Sequence, residues 1–287
     1  MSRDRGMTLR GQSRWDDAEP MLRKAIQLDE QYFSKSGSIL ESMGHTGRTL
    51  YEHSKEMEAE ATLRRELALR REKAGIENAQ TLSTMYNLVT CLSRQGKLRE
   101  AEQIHKEMHV LNEKVLGRTH EDALHQRTDY AIILSRLDKN EEAVRLEQET
   151  LALKNQVLGP QHADTLRSVT SLINFLEALE RFEDCLPLHE RAYKAYLATR
   201  GPDHPMTRER CMYYECMQET VENEKSKAEA KVKKRVEVEG SKKTSGETTS
   251  VASETAGTVV NTRRFGVRTW RAAKDSLRDL VSRKRYV

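Results

Sequence analysis

Three histidines, His120, His162 and His204, stand 42 residues apart, and imidazole is both the commonest protein metal ligand and a ready general base. Each closely follows a glycine, in the words Leu116-Gly117-Arg118-Thr119-His120, Leu158-Gly159-Pro160-Gln161-His162 and Gly201-Pro202-Asp203-His204. The spacing argues against one shared ion. Equivalent points of successive repeats lie two helix packings apart, each about 8–10 Å, whereas zinc ligands must stand about 2 Å from the metal. A second candidate, Cys91 with His105, would be a nucleophile and its base. Both fall inside helical patterns, with no glycine-rich elbow or oxyanion device beside them. The cysteines Cys91, Cys185, Cys211 and Cys216 show no CxxC spacing, which reads as free, mostly buried thiols in a reducing compartment. No catalytic, cofactor-binding or metal-ligating set is assigned, and a non-catalytic protein is expected.

The same spacing describes the elements that carry these residues. Self-similarity at one period between 20 and 50 residues is the signature of a stacked repeat. Each glycine follows a long helical run, where a C′ residue takes a left-handed conformation without Cβ strain. His204-Pro205 reads as N-cap then N1, and Asp122 and Asp164 fall in first turns, complementing the helix dipole. In the first helices, Met85, Leu88, Val89 and Leu92, and again Val169, Leu172, Ile173 and Leu176, recur at helical spacing. Arg127 interrupts that stripe in the helix between them. Ala101, Ala143 and Cys185 follow one another at a step of 42 in the second helices, where a small residue lets two helices approach. The expected fold is all-α, a solenoid of stacked antiparallel helix pairs.

Composition agrees with thin amphipathic layers rather than a thick core: 37% apolar residues, 33% charged residues and four phenylalanines in 287. No apolar run approaches the roughly 18 residues a membrane span needs. The N-terminus leads into no apolar secretory core, and a cytoplasmic location is expected. Residues 1–10 are expected to be a disordered N-terminus, too short for a first helix. The repeat array then covers 11–224, as a half unit at 11–31, units at 37–73, 79–116, 121–158 and 163–200, and a capping helix at 205–224. The half unit leaves Trp15, Leu22 and Ile26 as an open apolar edge. In the unit at 37–73, Gly44 and Gly47 weaken the first helix. A Ser/Thr/Gly-rich flexible linker is expected over 225–262, ahead of a basic amphipathic tail at 263–287. That tail holds nine Lys/Arg and two Asp, a charge of +7, so the rest of the chain sums to 4 − 7 = −3.

The pattern resembles a tetratricopeptide repeat of the 42-residue kinesin-light-chain type. The words that carry it are Thr81-Leu82, Asn87-Leu88, Gly96-Lys97-Leu98-Arg99-Glu100-Ala101-Glu102, Val115-Leu116-Gly117 and His120, and the resemblance covers about residues 11–220. It implies a right-handed superhelix whose first helices line a concave surface that binds extended peptides. Positions i, i+4 and i+7 share a helix face. Opposite the apolar stripe they are Glu41, His45 and Arg48; Ser83, Asn87 and Thr90; His125, Asp129 and Ile132; and Arg167, Ser171 and Asn174. Asn87 matches the position where family members hydrogen-bond a peptide backbone, a task for which an amide offers donor and acceptor together. Asp129 and Ser171 depart from that amide.

A protein or peptide partner in the concave groove is therefore expected, with no cofactor and no specific nucleic acid. Weak contact of 263–287 with an anionic membrane is a further expectation. Two alternatives remain open. One is the C-terminal repeat fragment of an NB-ARC or NACHT-type NTPase receptor, whose P-loop GxxxxGK[ST] this chain lacks. The other is a basic-tail adaptor docking on anionic membrane or nucleic acid.

Overall fold

The computed structural model describes residues 2–32 and 38–245, and among these every regular element is an α-helix. The chain divides into two compact units, Met1–Val157 and Leu158–Val287. Unit 1 is built of helix pairs: α1 (Ser2–Gly11) with α2 (Trp15–Tyr32), α3 (Ser38–Glu52) with α4 (Glu56–Ala74), α5 (Ala79–Arg94) with α6 (Leu98–Val115), and α7 (Glu121–Arg136) with α8 (Asn140–Val157). Each pair packs on the next through α2 with α3, α4 with α5 and α6 with α7. Unit 2 contains α9 (Ala163–Ala178), α10 (Phe182–Arg200) and α11 (Pro205–Ser245), with α10 packed on both others. Within unit 1 the expected all-α stack of antiparallel pairs is thus the observed architecture, and the described residues of unit 2 are all-α as well.

The punctuation has a residue-level cause. Asn78, His120, His162 and His204 are the N-caps of α5, α7, α9 and α11, spaced by 42. Asn78 Oδ1 accepts from the Gln80 amide at 2.9 Å, and the three imidazole Nδ1 atoms accept from Asp122, Asp164 and Met206 amides at 3.2, 3.3 and 3.2 Å. A ring nitrogen here does the work usually given to Ser, Thr, Asp or Asn. The glycines differ from expectation in detail. Gly75 has φ 81° and ψ 169°, an extended positive-φ region open essentially to glycine alone, rather than the left-handed helical well.

Between pairs, lysines of the intra-pair turns tie each unit to the one before. Lys55, Lys97 and Lys139 reach Glu19, Glu60 and Glu102 at 2.9, 2.7 and 2.5 Å. Burial alone would raise the Glu60 carboxyl, but hydrogen bonds from Lys97, Gln95 and Arg64 bring it down to about 2. Arg64–Glu100 and Arg71–Glu107 bridge α4 and α6 on the outer side at 2.5 and 2.9 Å. Beneath the turns sit Ala18, Ala59, Ala101, Ala143 and Cys185, each 0% exposed three residues into its second helix.

Several expectations need correcting. Residues 2–11 are helical, not disordered, and complete the first pair. At about 1.5 Å per residue they form only three turns, yet a Cβ on Gly6 would come within 2.7 Å of Leu22 Cγ, so the contact is close. The edge at Trp15, Leu22 and Ile26 is therefore not open, and Leu22 is fully buried. Gly44 and Gly47 do not interrupt α3, which is continuous. The last helix is not confined to 205–224: α11 runs to Ser245, through part of the expected linker. Its Glu, Lys and Ala are strong helix formers that need no apolar face to propagate a helix already nucleated. The remaining linker and the tail at 263–287 lie outside the described residues.

Candidate functional site

Among the first helices α1 touches α3 and α3 touches α5 directly, whereas α4 and α6 reach each other through long ion-paired side chains. This places the first helices on the inner, tighter side of unit 1. On α3, Glu41 and Arg48 are exposed and His45 half-buried; on α5, Ser83 is exposed, with Asn87 and Thr90 half-buried. These side chains line two adjoining cavities of about 300 and 260 Å³. Glu41, His45 and Ser83 belong to the larger and Thr90 to the smaller, while Arg48 and Asn87 line both. On α7, His125 and Asp129 lie outside these cavities. Asp129 accepts a hydrogen bond from Tyr86 Oη at 2.7 Å and stands 3.7 Å from His125 Nε2, so its carboxylate is already engaged within the scaffold. Ile132 beside them is half-buried.

In unit 2, Arg167 is half-buried and Asn174 exposed. Ser171 is 7% exposed, contrary to its expected place on a solvated face. Its short side chain falls within the buried arc of α9, which also takes in Ser168.

The electrostatics of the α3–α5 surface are balanced. Arg3 pairs with Glu41 at 2.8 Å, and Arg10 approaches Glu52 at 4.0 Å. Burial, reinforced by the nearby Arg10, Arg48 and Arg3, holds the His45 ring below its ordinary pKa and favours the neutral imidazole. The larger cavity is floored by a buried ion pair from α4, Arg70 Nε to Glu66 Oε1 at 2.7 Å. Thr84 Oγ1 donates to the same carboxyl at 3.0 Å, and Arg70 also bonds Gln80 at 2.7 Å. Burial pushes the Glu66 carboxyl above the usual carboxylate range even against these donors. Chemically the surface offers closely spaced donors and acceptors with no dominant sign of charge, which suits a peptide better than a free ion.

The residues that invited catalytic readings have other tasks. Cys91 Sγ donates to the Glu56 carbonyl at 3.3 Å, and burial pushes its thiol up. His105 is 0% exposed, stacks on Tyr130 with centroids 4.8 Å apart, and is held down to about 4 by burial. The capping histidines sit at helix starts, one per repeat. Among the described residues no group of His, Cys, Asp and Glu is placed to hold a metal ion, and no helix is long and apolar enough to cross a membrane.

With this geometry in hand, comparison with known proteins gives the fold its name. Residues 80–156 match the model of the tetratricopeptide repeat. These residues are tetratricopeptide repeats. The match spans α5 to α8, while a search of the curated proteins finds no match. Among solved structures, the chain is similar to a Podosopora anserina kinesin light chain with nearly identical TPR-like repeats, at 18% identity and TM-score 0.64, covering 69% of this chain and 94% of that one. BtubC (BKLC) from P. vanneervenii shares 16% identity at TM-score 0.57, over 82% and 92% of the two chains. A Rap protein complexed with competence and sporulation factor shares 12% identity at TM-score 0.53, over 97% and 75%. At such identities the likeness is one of fold: a tetratricopeptide-repeat stack, of the kind that generally mediates protein–protein interaction.

Read as tetratricopeptide repeats, the inner helices were found from sequence, but the cavity floors were not. Glu66, Arg70 and Leu63 come from second helices, and Tyr51 and Tyr86 flank the i, i+4, i+7 rows. The available signal was Gly44 and Gly47 on α3. A Cβ at the first would lie 2.9 Å from Glu66 Oε1, and at the second 2.8 Å from Leu63 Cδ2. These glycines mark close approach of α4.

Proposed function

We propose that this chain is a non-catalytic interaction scaffold that binds a peptide segment of a partner protein along the inner surface of unit 1. The observation that carries this reading is the convergence of Glu41, His45 and Arg48 from α3 with Ser83, Asn87 and Thr90 from α5 on two adjoining cavities. Asn87 and Arg48, common to both, are well placed to hold the backbone of an extended ligand. Asn87 presents a donor and an acceptor together, and Arg48 a planar set of donors. The Rap protein solved with competence and sporulation factor supports the reading by its fold. The buried cysteines Cys91 and Cys185, neither of them in a disulfide, support a reducing, cytoplasmic setting.

The test is affinity capture with the full chain and with Asn87→Arg and Arg48→Glu variants. A partner retained by the wild type and lost from both variants supports the inner surface. Equal capture by all three would overturn it. Contact of residues 263–287 with anionic membrane is a separate proposal resting on their +7 charge. Cosedimentation with acidic vesicles, lost in a chain ending at 262 and absent with neutral vesicles, supports it. Unchanged sedimentation of the shortened chain would end it.

A further inference from the structure

The two cavities between α3 and α5 differ in chemistry, and the two glycines of α3 create that difference. Gly44 lets the Glu66–Arg70 pair floor the larger cavity, where Gln80, Ser83 and Thr84 complete a polar wall. Gly47 lets Leu63 floor the smaller, beside the rings of Tyr51 and Tyr86. Glu66 is 1% exposed; its Oε1 takes bonds from Arg70 and Thr84, while its Oε2 is buried with no hydrogen-bond partner. A buried acceptor favours a group that can donate to it, and a donor entering the cavity beside Glu66 is such a group. Its charges already balance, with Glu41 and Glu66 against Arg48 and Arg70. An added cation or anion would enter a half-enclosed site beside a like charge, and burying an unpaired charge is unfavourable. A neutral donor is the group that fits.

We propose, on the footing of the groove reading above, that the α3–α5 cavities select a side-chain pair on an extended peptide. An Asn or Gln amide occupies the Glu66 cavity and an apolar side chain, Leu, Met or Phe, occupies the Leu63–Tyr51–Tyr86 cavity. The amide donates to the Glu66 carboxylate once that side chain turns Oε2 toward the cavity, and its carbonyl accepts from Arg48 or Asn87 at the rim. In an extended strand alternate side chains share a face, about 6.6–7 Å apart. Because the cavities adjoin at Arg48 and Asn87, the proposal sets the two residues two positions apart in the peptide, with Asn87 bonding the backbone between them. Gly44 and Gly47 determine this specificity by keeping the floors open.

The experiment is selection of randomised heptapeptides displayed on phage against the full chain, followed by fluorescence-polarisation titration of the enriched peptides. Enrichment of an apolar residue two positions from Asn or Gln is expected. Thr90→Phe, which fills the apolar cavity, should weaken binding about tenfold or more. Ser83→Leu, which fills the polar one, should do the same and erase the amide preference. Gly44→Ala and Gly47→Ala also disturb helix packing, so the fillers at the outer positions Ser83 and Thr90 carry the test, with far-UV circular dichroism showing that they fold. Enrichment of acidic or basic peptides, or binding indifferent to both fillers, overturns this pairing while leaving a peptide-binding groove in place. No enrichment by the wild-type chain overturns the groove reading and the pairing with it.

Discussion

In the pair α5–α6, Met85 and Met108 are fully buried in one apolar cluster with Leu88, Val89 and Leu92. In the pair α7–α8 the positions 42 residues on hold Arg127 and Thr150, joined by a 3.1 Å hydrogen bond and also buried. The two pairs have equal helix lengths, 16 and 18 residues each. Around Arg127 the polar contacts continue outward to the half-buried Glu113 at 2.8 Å and the exposed Glu149 at 3.2 Å, and on the same helix pair a fully buried Lys154 donates to Thr128 at 2.9 Å. Two neighbouring repeats thus keep one backbone with an apolar pair in one and a polar pair in the other at the same two positions. What they share is the small residue under the turn, Ala101 or Ala143, the capping residue, Asn78 or His120, and the lysine that ties back to the previous pair. The repeat is specified by its joints more than by the polarity of its core.

The largest effect that could break this comparison is at Arg127. Arg127→Ala removes a buried side chain and leaves a space between α7 and α8, and should cost about 2–5 kcal/mol in chemical denaturation. The double change Arg127→Met with Thr150→Met installs the residues of the neighbouring pair, and a hydrophobic replacement of a buried ionic set is often neutral or stabilising. It should recover most of that loss. A double variant as unstable as Arg127→Ala would mean that the two interiors are not interchangeable.

Next in size is the acid limb of stability. His105, facing Tyr130, His109 and Asp129, is lowered from 6.5 to about 4 by burial. The unfolded chain therefore takes up a proton that the folded chain refuses. Stability present above pH 6.5 falls as pH drops through 6.5 toward 4, by on the order of 3 kcal/mol, and this contribution levels off below. His105→Leu should flatten that part of the pH profile, read from denaturation midpoints; an unchanged slope would sink the assignment. Ala101→Leu and Ala143→Leu come third, each overpacking a closed joint at a cost of about 1–3 kcal/mol. Similar losses in both pairs sharpen the claim that the joints are common, and a loss in only one would break it. Lys97→Met, at the half-exposed tie to Glu60, should cost less than about 1 kcal/mol.

Much of this molecule was legible in the sequence because its joints are local. A glycine with positive φ, a cap residue and an alanine three residues into the next helix repeat in fixed register, and spacing alone exposes them. The inner face could be read in α3 and α5 from the i, i+4, i+7 rows, whose outward residues do line the cavities. What escaped depends on partners distant in sequence. Arg127 looked like a break in an apolar stripe because its partners Glu113, Glu149 and Thr150 come from the helices on either side. Gly44 and Gly47 looked like helix breakers because the side chains that need their space, Glu66 and Leu63, belong to the following helix. Residues 2–11 and 225–245 lack an apolar period altogether, and helicity there rests on docking in the first case and propensity in the second. Ser171 was misplaced because a serine gives no sign of which side of a helix it occupies.

The central claim is that the inner helices of unit 1, rather than the outer ones, receive the partner. Site-specific photo-crosslinking tests it most directly, with p-benzoylphenylalanine placed in the full chain at Asn87 on α5 or at Val110 on α6, which is 65% exposed on the outer side. The account predicts a covalent partner adduct from position 87 and none from position 110. Adducts of equal yield at both positions, or from 110 alone, would contradict it.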